Sequence, residues 1–319
     1  MVSTNASTRF WIVANPKAGQ GRGARLATRL RERLEQSGAQ ASVHLTAAKG
    51  QAESVARAIL ESEANRAGGR VCLVACGGDG TVQEVANAVL ADGRPSSPGV
   101  VLGVAPAGRC NDFASAFGIH ARLADIAEVL LRGGTTAVDL GRVNRRYFCT
   151  VAALGFDAAV SRFVNDMKMP LTGTLAYVYG ILRVLPVYHP AEVRLAMDGS
   201  TIEGPVYLAA SANTSSYGGR LRICPGANAC DGTLDLCLIA PLSRWRVLRL
   251  LHRVLRSRHT DLPEVRLIRT RSVRIESPRP QEIWADGEFV ARTPATIEVV
   301  PAALRMLVPA GPGDSYAAT

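Results

Sequence analysis

Aromatic residues are scarce in this chain, 5% of 319 residues, and nowhere do they interleave with basic runs. That argues against a nucleic-acid surface, which sets stacking platforms among cations. No window supplies the ~18 uncharged apolar residues of a membrane-spanning helix; Thr174 to Pro186 is short and carries Arg183. The N-terminus, MVSTNASTRFWIVANP, lacks the basic and apolar regions of a secretion signal. Cys72, Cys76, Cys110, Cys149, Cys224, Cys230 and Cys237 form no CxxC pair and show no zinc-like Cys/His spacing. They read as small buried residues in a reducing cytosol. A cytoplasmic protein that meets a membrane only from its surface is the expectation. Walker A and GxGxxG sequences are missing too, which disfavours a dinucleotide fold.

Present instead is an excess of positive charge, +10, carried by arginine far more than lysine. Such an excess attracts nucleic acid, anionic lipid or phosphorylated substrates alike. With 47% hydrophobic and 20% charged residues, the composition is that of a globular protein long enough for two domains.

The chain is organised around Val71 to Leu90, VCLVACGGDGTVQEVANAVL. An apolar strand ends in Gly77-Gly78-Asp79-Gly80-Thr81, and Val82, Val85, Ala86, Val89 and Leu90 then recur at helical spacing. Glycine lets a ligand approach the main chain closely, and amides at a helix N-terminus favour an anion. This predicts a phosphate cradle. Thr81 and Glu84 also form a capping-box pattern, so part of the motif serves to start a helix. Asp79, a carboxylate inside an anion cradle, needs a cation or donors to meet it.

The same strand, loop and helix recur at Phe10 to Leu34, around Asn15-Pro16-Lys17 and the glycines that follow, and at Ala41 to Arg66, with Thr46 at its turn. They recur again from Val100, through Pro106-Ala107-Gly108-Arg109-Cys110-Asn111-Asp112 to a helix over Leu123 to Leu131. This alternation predicts a parallel sheet with helices on both faces. Loops leaving the carboxyl ends of its strands should converge on a ligand.

From about residue 135 the texture changes to many short strands broken by Gly and Pro, the mark of a β-sandwich. Strands are expected at Ala137 to Val143, Tyr147 to Leu154, Ala191 to Met197, Thr201 to Ala210, Leu234 to Ile239, Glu264 to Ile268, Arg271 to Glu276, Glu282 to Ala285, Ala295 to Val299 and Leu304 to Val308. Helices are expected over Phe156 to Met167 and Leu175 to Leu185. The fold class is therefore an α/β nucleotide-binding domain (residues 1–134) followed by a β-sandwich substrate domain (135–309). Its last strand is allowed to return to the first domain, and residues 310–319 form a loose tail.

Taken in order, NPKAGQGRG, Thr46, GGDGTVQEVAN, APAGRCNDFA, YGGRLRICPGANACDGTLDL and IWADGE resemble the diacylglycerol kinase catalytic-domain family, the soluble bacterial lipid kinases related to sphingosine and ceramide kinases. The resemblance runs nearly end to end. It implies an ATP- and Mg2+-dependent kinase of a lipid hydroxyl, with the nucleotide between an α/β domain and a β-sandwich. It further implies nucleotide contacts at Asn15, Pro16, Lys17, Thr46, Gly77, Gly78, Gly80, Thr81, Gly108, Arg109, Asn111, Asp112 and Glu288. Asp286 matches the base that takes the hydroxyl proton, and Asp79 the carboxylate that orients magnesium or its water. A structural magnesium at the DGTLD turn would use the Asp231 side chain with backbone carbonyls of Asn228 and Thr233. Without the resemblance, Asp286-Gly287 reads as a hairpin turn.

Where the family usually reads GTGNDFAR, this chain has Gly108-Arg109-Cys110-Asn111-Asp112-Phe113-Ala114-Ser115. Arg109 either supplies charge to a phosphate or blocks the site, leaving a catalytically weak nucleotide- or lipid-binding protein; an NAD kinase is a further alternative. Cys230 stands where the family often has an acid. Pro241 to His259 predicts an amphipathic helix, with Leu248, Leu251, Val254 and Leu255 on one face, Arg246, Arg249, Arg253 and Arg256 largely opposite, and Trp245 at its start. Its two readings are contact with an anionic membrane and ordinary packing on the sandwich. The acceptor lipid and the oligomeric state, a homodimer included, stay open.

Overall fold

A computed structural model describes residues 8–64, 70–90, 99–166, 174–219 and 221–310, without the side chains of residues 174, 177, 248, 251 and 255. The chain divides into two compact units, Met1–Val138 with Ala302–Thr319, and Asp139–Pro301.

The first unit alternates β1 (Thr8–Ala14), α1 (Ala18–Gln36), β2 (Gln40–Leu45), α2 (Gln51–Ala64), β3 (Arg70–Gly77), α3 (Asp79–Val89) and β4 (Val100–Pro106), followed by α4 (Asp112–Ala116) and α5 (Leu123–Arg132). The strands lie parallel in the order β2-β1-β3-β4. One face buries Phe10, Ile12, Cys72 and Val74 against Leu30 and Leu34 of α1 and Ile126 of α5. The opposite parity, Val13, Leu73 and Ala75, is buried as well. Burial on both faces is why these strands read as unbroken apolar runs. Each fully buried leucine contributes about 2 kcal/mol.

The second unit holds β6 (Arg146–Phe148), β7 (Val151–Gly155), α6 (Phe156–Asp166), α7 (Thr174–Val184), β8 (Ala191–Met197), β9 (Ser200–Val206), β10 (Leu208–Ala212), β11 (Leu234–Ile239), α8 (Arg244–Leu255), β12 (Val265–Thr270), β13 (Ser272–Glu276), β14 (Glu282–Ala285) and β15 (Glu288–Arg292). Two further strands run across the division: β5 (Gly134–Val143) and β16 (Ala295–Val308). One antiparallel sheet runs β12-β11-β10-β7-β14-β15, and another joins β9, β8, β13 and the first half of β16. Alternation sorts their side chains. Ala152 and Leu154 of β7 join Leu195, Val273 and Ile297 in the sandwich core. Val151 and Ala153 face the other way, onto Val160 of α6, Ile181 of α7 and Val247 of α8. Further along β16, Met306 pairs in parallel with Leu102 of β4 in the first unit.

Four expectations need correction. Tyr147 to Leu154 is not one strand: it breaks at Cys149 and Thr150, whose amides turn to Asp286. Thr201 to Ala210 also divides, because the chain leaves its pairing with β8 and enters the other sheet, beside β7, at Tyr207. The two short strands expected after Ala295 are a single 14-residue strand, continuous although Ala302 takes a φ of 47°. Thr81 and Glu84 do not form a capping box. Helix α3 starts at Asp79 with Gly78 as its N-cap and no side-chain cap, while the Glu84 carboxylate accepts the Gly50 and Ala52 amides at the start of α2, at 3.0 and 2.9 Å. Asn65, Arg66, Met167 and the tail after residue 310 lie outside the described residues, as do the side chains of Leu248, Leu251 and Leu255.

Candidate active site

In the first unit, the loops that leave β1, β3 and β4 meet. The Gly77 carbonyl accepts the amides of Ala107 (2.8 Å) and Gly108 (3.1 Å). A Cβ on Gly108 would lie 2.4 Å from the Gly78 Cα, so the two backbones approach this closely because residue 108 is glycine. A Cβ on Gly80, by contrast, would meet open space, and Gly80 lies in the first turn of α3, where helix amides lack intrahelical partners. The third loop closes against the second. Gly19 takes a φ of 55°, and a Cβ there would sit 2.2 Å from the Ala107 carbonyl oxygen. Arg22 bonds the carbonyls of Gly19 (3.2 Å) and Gly108 (3.4 Å).

The predicted residues divide into those that shape these loops and those that present themselves. Asn15 accepts the Lys17 amide through Oδ1 (3.0 Å), a side-chain turn that leaves Pro16 half-buried and Lys17 exposed. Thr46 is buried where β2 ends, its amide on the Ala14 carbonyl at 2.9 Å. Thr81 is buried against Gly77. Asn111, left-handed at φ 54°, closes a ring with Gly108 by accepting its amide (2.9 Å) and donating to its carbonyl (3.1 Å). Arg109 is exposed and makes no ion pair among the described residues.

Asp79 is met by donors. Its Oδ1 accepts the Phe113 amide at 3.0 Å. Burial pushes its carboxyl above the ordinary range, opposed by the amides of Phe113, Asp112, Asp79 itself and Asn111. The carboxylate thus pins the glycine turn to the first turn of α4. Burial first, then the charges of Asp112 and Asp79, push the Cys110 thiol up to about 12. It remains protonated and is no nucleophile.

In the second unit, Asp286 and Gly287 join β14 to β15 with φ of 50° and 80°, the two positive angles of a type I′ turn. The hairpin-turn reading of Asp286-Gly287 therefore holds. Its Oδ2 accepts the Cys149 amide (2.7 Å), and its Oδ1 accepts the amide (2.8 Å) and hydroxyl (2.5 Å) of Thr150. These donors escaped the sequence reading, as did Asn213, whose fully buried amide bonds the carbonyls of Asp139 (2.8 Å) and Cys149 (2.9 Å). The only signal for it was a polar Asn-Thr pair closing an apolar strand. Asn165 of α6 donates to the Gly287 carbonyl (2.8 Å), and Glu288 follows, half-buried, at the start of β15.

The DGTLD turn is held by its own hydrogen bonds and an ion pair. Asp231 Oδ1 accepts the amide (3.1 Å) and hydroxyl (2.8 Å) of Thr233, and the Asn228 carbonyl accepts the Asp231 amide at 3.4 Å. The Arg269 guanidinium supplies the cation, 3.5 Å from Asp231 and 3.4 Å from Asp235. Among the described residues, no group of three or more His, Cys, Asp or Glu side chains is placed to hold a metal ion.

Comparison with known proteins identifies the lineage. Residues 9–143 match the diacylglycerol kinase catalytic domain, and residues 150–308 match the YegS C-terminal NAD kinase beta sandwich-like domain. A diacylglycerol kinase of Mycobacterium tuberculosis is 34% identical over 304 residues, covering 93% of this chain and 94% of that protein. One from Bacillus subtilis is 28% identical over 288 residues, covering 90% and 91%. In fold, the chain superposes on the crystal structure of a candidate diacylglycerol kinase from Bacillus anthracis with a TM-score of 0.79 at 22% identity, covering 97% of each. With its glycine-turn cluster and its two-domain match, the chain belongs to the diacylglycerol kinase catalytic-domain family.

Proposed function

We propose that the protein transfers the γ-phosphoryl group of ATP to the hydroxyl of a lipid alcohol, with diacylglycerol as the leading acceptor. The observation that carries the reading is the contact of Gly78 with Gly108 beside the open face of Gly80. It makes a backbone cradle suited to phosphate at the start of α3. Phosphoryl transfer asks the protein mainly to align groups and neutralise charge. The cradle amides, exposed Lys17 and exposed Arg109 hold the phosphates in this reading. Asp286 orients the acceptor hydroxyl and takes its proton as the oxygen bonds to phosphorus and the bond to the ADP oxygen breaks. Three donors hold the carboxylate still, as an orienting base requires. In this reading Asp79 and buried Asp112, whose charges both reach Cys110, would hold magnesium, which takes one or two carboxylates together with phosphate oxygens and water and would neutralise charge on the phosphates.

The β-sandwich match to an NAD kinase-like domain concerns the second unit's fold, and the catalytic-domain match favours a lipid acceptor. Helix α8 adds a route to that acceptor. Val247, Leu250 and Val254 are buried in the core, whereas Trp245, Arg249 and Arg253 are exposed, so we assign the arginine face to transient contact with an anionic membrane from the cytoplasm. Among the described residues, no helix is long and apolar enough to cross one. The test is incubation with labelled ATP, Mg2+ and a panel of diacylglycerol, sphingoid base, ceramide and NAD. Labelled phosphatidic acid is expected; ATP binding without transfer to any acceptor would reduce the protein to a nucleotide binder.

A further inference from the structure

Two cysteines of the second unit share one buried cluster with an imidazole. Cys237 lies on β11 and Cys224 in the irregular segment before it, and both are fully buried. The Cys224 thiol donates to the Asp235 carbonyl of β11 at 3.4 Å, and the Cys237 sulfur is a second acceptor within its reach. His259 closes the cluster, fully buried, with Nε2 on the Ile223 carbonyl at 2.8 Å. A carbonyl only accepts, so Nε2 carries the proton and, in the neutral ring, Nδ1 keeps a bare lone pair. That Nδ1 has no hydrogen-bond partner among the described residues, although buried polar groups are normally satisfied; the Cys237 thiol is the acid that acts on the ring. The three side chains are not placed to hold a metal ion.

The two thiols are not equivalent. A bond from the Cys224 thiol holds Cys237 below the ordinary thiol range against the effect of burial, and His259 adds to it. The same bond, and then burial, raises Cys224. One sulfur is thus a nucleophile and the other keeps its proton. Access is restricted by size. Ile223, next to Cys224, and Ile239, next along the Cys237 face of β11, line a cavity of about 70 Å³, room for molecules as small as water.

We propose that Cys224 and Cys237 form a peroxide-sensitive dithiol, with Cys237 as the attacking sulfur, Cys224 as the resolving sulfur and His259 as the proton carrier. Cys237 passes its proton to His259 Nδ1, and its sulfur attacks one oxygen of hydrogen peroxide. The O–O bond breaks, and the departing hydroxide takes the proton from the imidazolium and leaves as water. Cys237, oxidised by two electrons to a sulfenic acid, is then attacked by the Cys224 sulfur. An S–S bond forms, the S–O bond breaks, and the hydroxyl leaves with the Cys224 proton as a second water. One peroxide is reduced to two waters as two thiols become one disulfide. The site stands apart from the lipid-kinase reading and does not depend on it.

The experiment treats the reduced full chain at pH 7, without nucleotide, with hydrogen peroxide and maps its peptides by mass. The expected product has lost two hydrogens, links Cys224 to Cys237, forms about tenfold faster than exposed Cys230 is oxidised, and reverts with dithiothreitol. Alanine suits the apolar surroundings, so both alanine variants should fold. Cys224→Ala should stop at a sulfenic acid on Cys237, trapped by dimedone, and Cys237→Ala should leave Cys224 a free thiol. His259→Gln keeps a donor for the Ile223 carbonyl and should give the same disulfide about tenfold more slowly. Oxidation of Cys230 ahead of the pair, or a dimedone adduct on Cys224 in Cys237→Ala, would overturn the proposal.

Discussion

Asp286 serves its turn and its proposed chemistry with the same carboxylate, and the two uses separate on substitution. Asp286→Asn puts an amide NH2 against the donors of Cys149 or Thr150, costing about 1–3 kcal/mol for the lost and unsatisfied bonds. It also removes the proton acceptor, for which kcat should fall about 10²–10⁴-fold. ATP binding, assigned to the first unit, should stay at the parental affinity; retained turnover removes the base assignment. Only the turn was legible locally, because Cys149 and Thr150 lie 137 and 136 residues away and no spacing rule links them. Arg109 poses the converse case, an exposed cation that the motif alone leaves ambiguous. If it binds phosphate, Arg109→Thr should raise KM for ATP about tenfold, the worth of one charge-assisted bond. A rise in turnover would show obstruction instead. Asp157 permits a pH test. Burial raises its folded pKa to about 6 from 3.8, with only the Tyr217 hydroxyl opposing. The folded state therefore favours the protonated form, and this contribution to stability, about 3 kcal/mol, is present below pH ~4 and lost as pH rises towards 6. Denaturation midpoints should accordingly show Asp157→Asn gaining on the parent between pH 4 and 6 and holding its advantage above; a gap independent of pH contradicts the shift.

At the scale of elements, periodicity located the strands but not the points where pairing changes, and it missed what a side chain does across the fold. The strands at Leu234–Ile239 and Glu282–Ala285 follow from their apolar pattern and bounding turns. Thr81 and Glu84 also showed the right spacing for a capping box, yet Glu84 is spent on the start of α2. Its physical role is the same, an acceptor for orphaned helix amides, but the helix is another one. Glu84→Ala should therefore unfasten α2 from α3 and cost about 1–2 kcal/mol in urea denaturation, with amide exchange quickening at Gly50 and Ala52 before it does at Thr81. Faster exchange confined to α3 would restore the capping box. The sheet change at Tyr207 was read through although Gly204 and Pro205 stand just before it, because Tyr207 and Leu208 continue the apolar run while their pairing partners change.

For the whole molecule, composition settled class but not contact. Strands buried on both faces announced the parallel sheet, and short alternating strands announced the sandwich; a last strand returning to the first unit was allowed for, but not that it would be the second half of one 14-residue strand shared by both units. The +10 charge was equally mute about its partner. The structure narrows it through α8, which seats one side in the core and leaves Arg249 and Arg253 exposed with Trp245, itself 81% exposed. Local pairing takes other arginines of the helix: Arg246 is held by Glu264 at 2.6 Å, and Arg256 by His252. Near an anionic bilayer each basic residue is worth about 1 kcal/mol within a Debye length. Vesicles rich in phosphatidylglycerol should therefore bind the protein at low ionic strength and release it as salt rises. Vesicles of phosphatidylcholine should not bind it. Replacing Arg249 and Arg253 together with alanine should weaken binding about 30-fold, while phosphoryl transfer to a short-chain acceptor in solution stays at the parental rate. Equal sedimentation with both kinds of vesicle would show that α8 is simply a solvated helix.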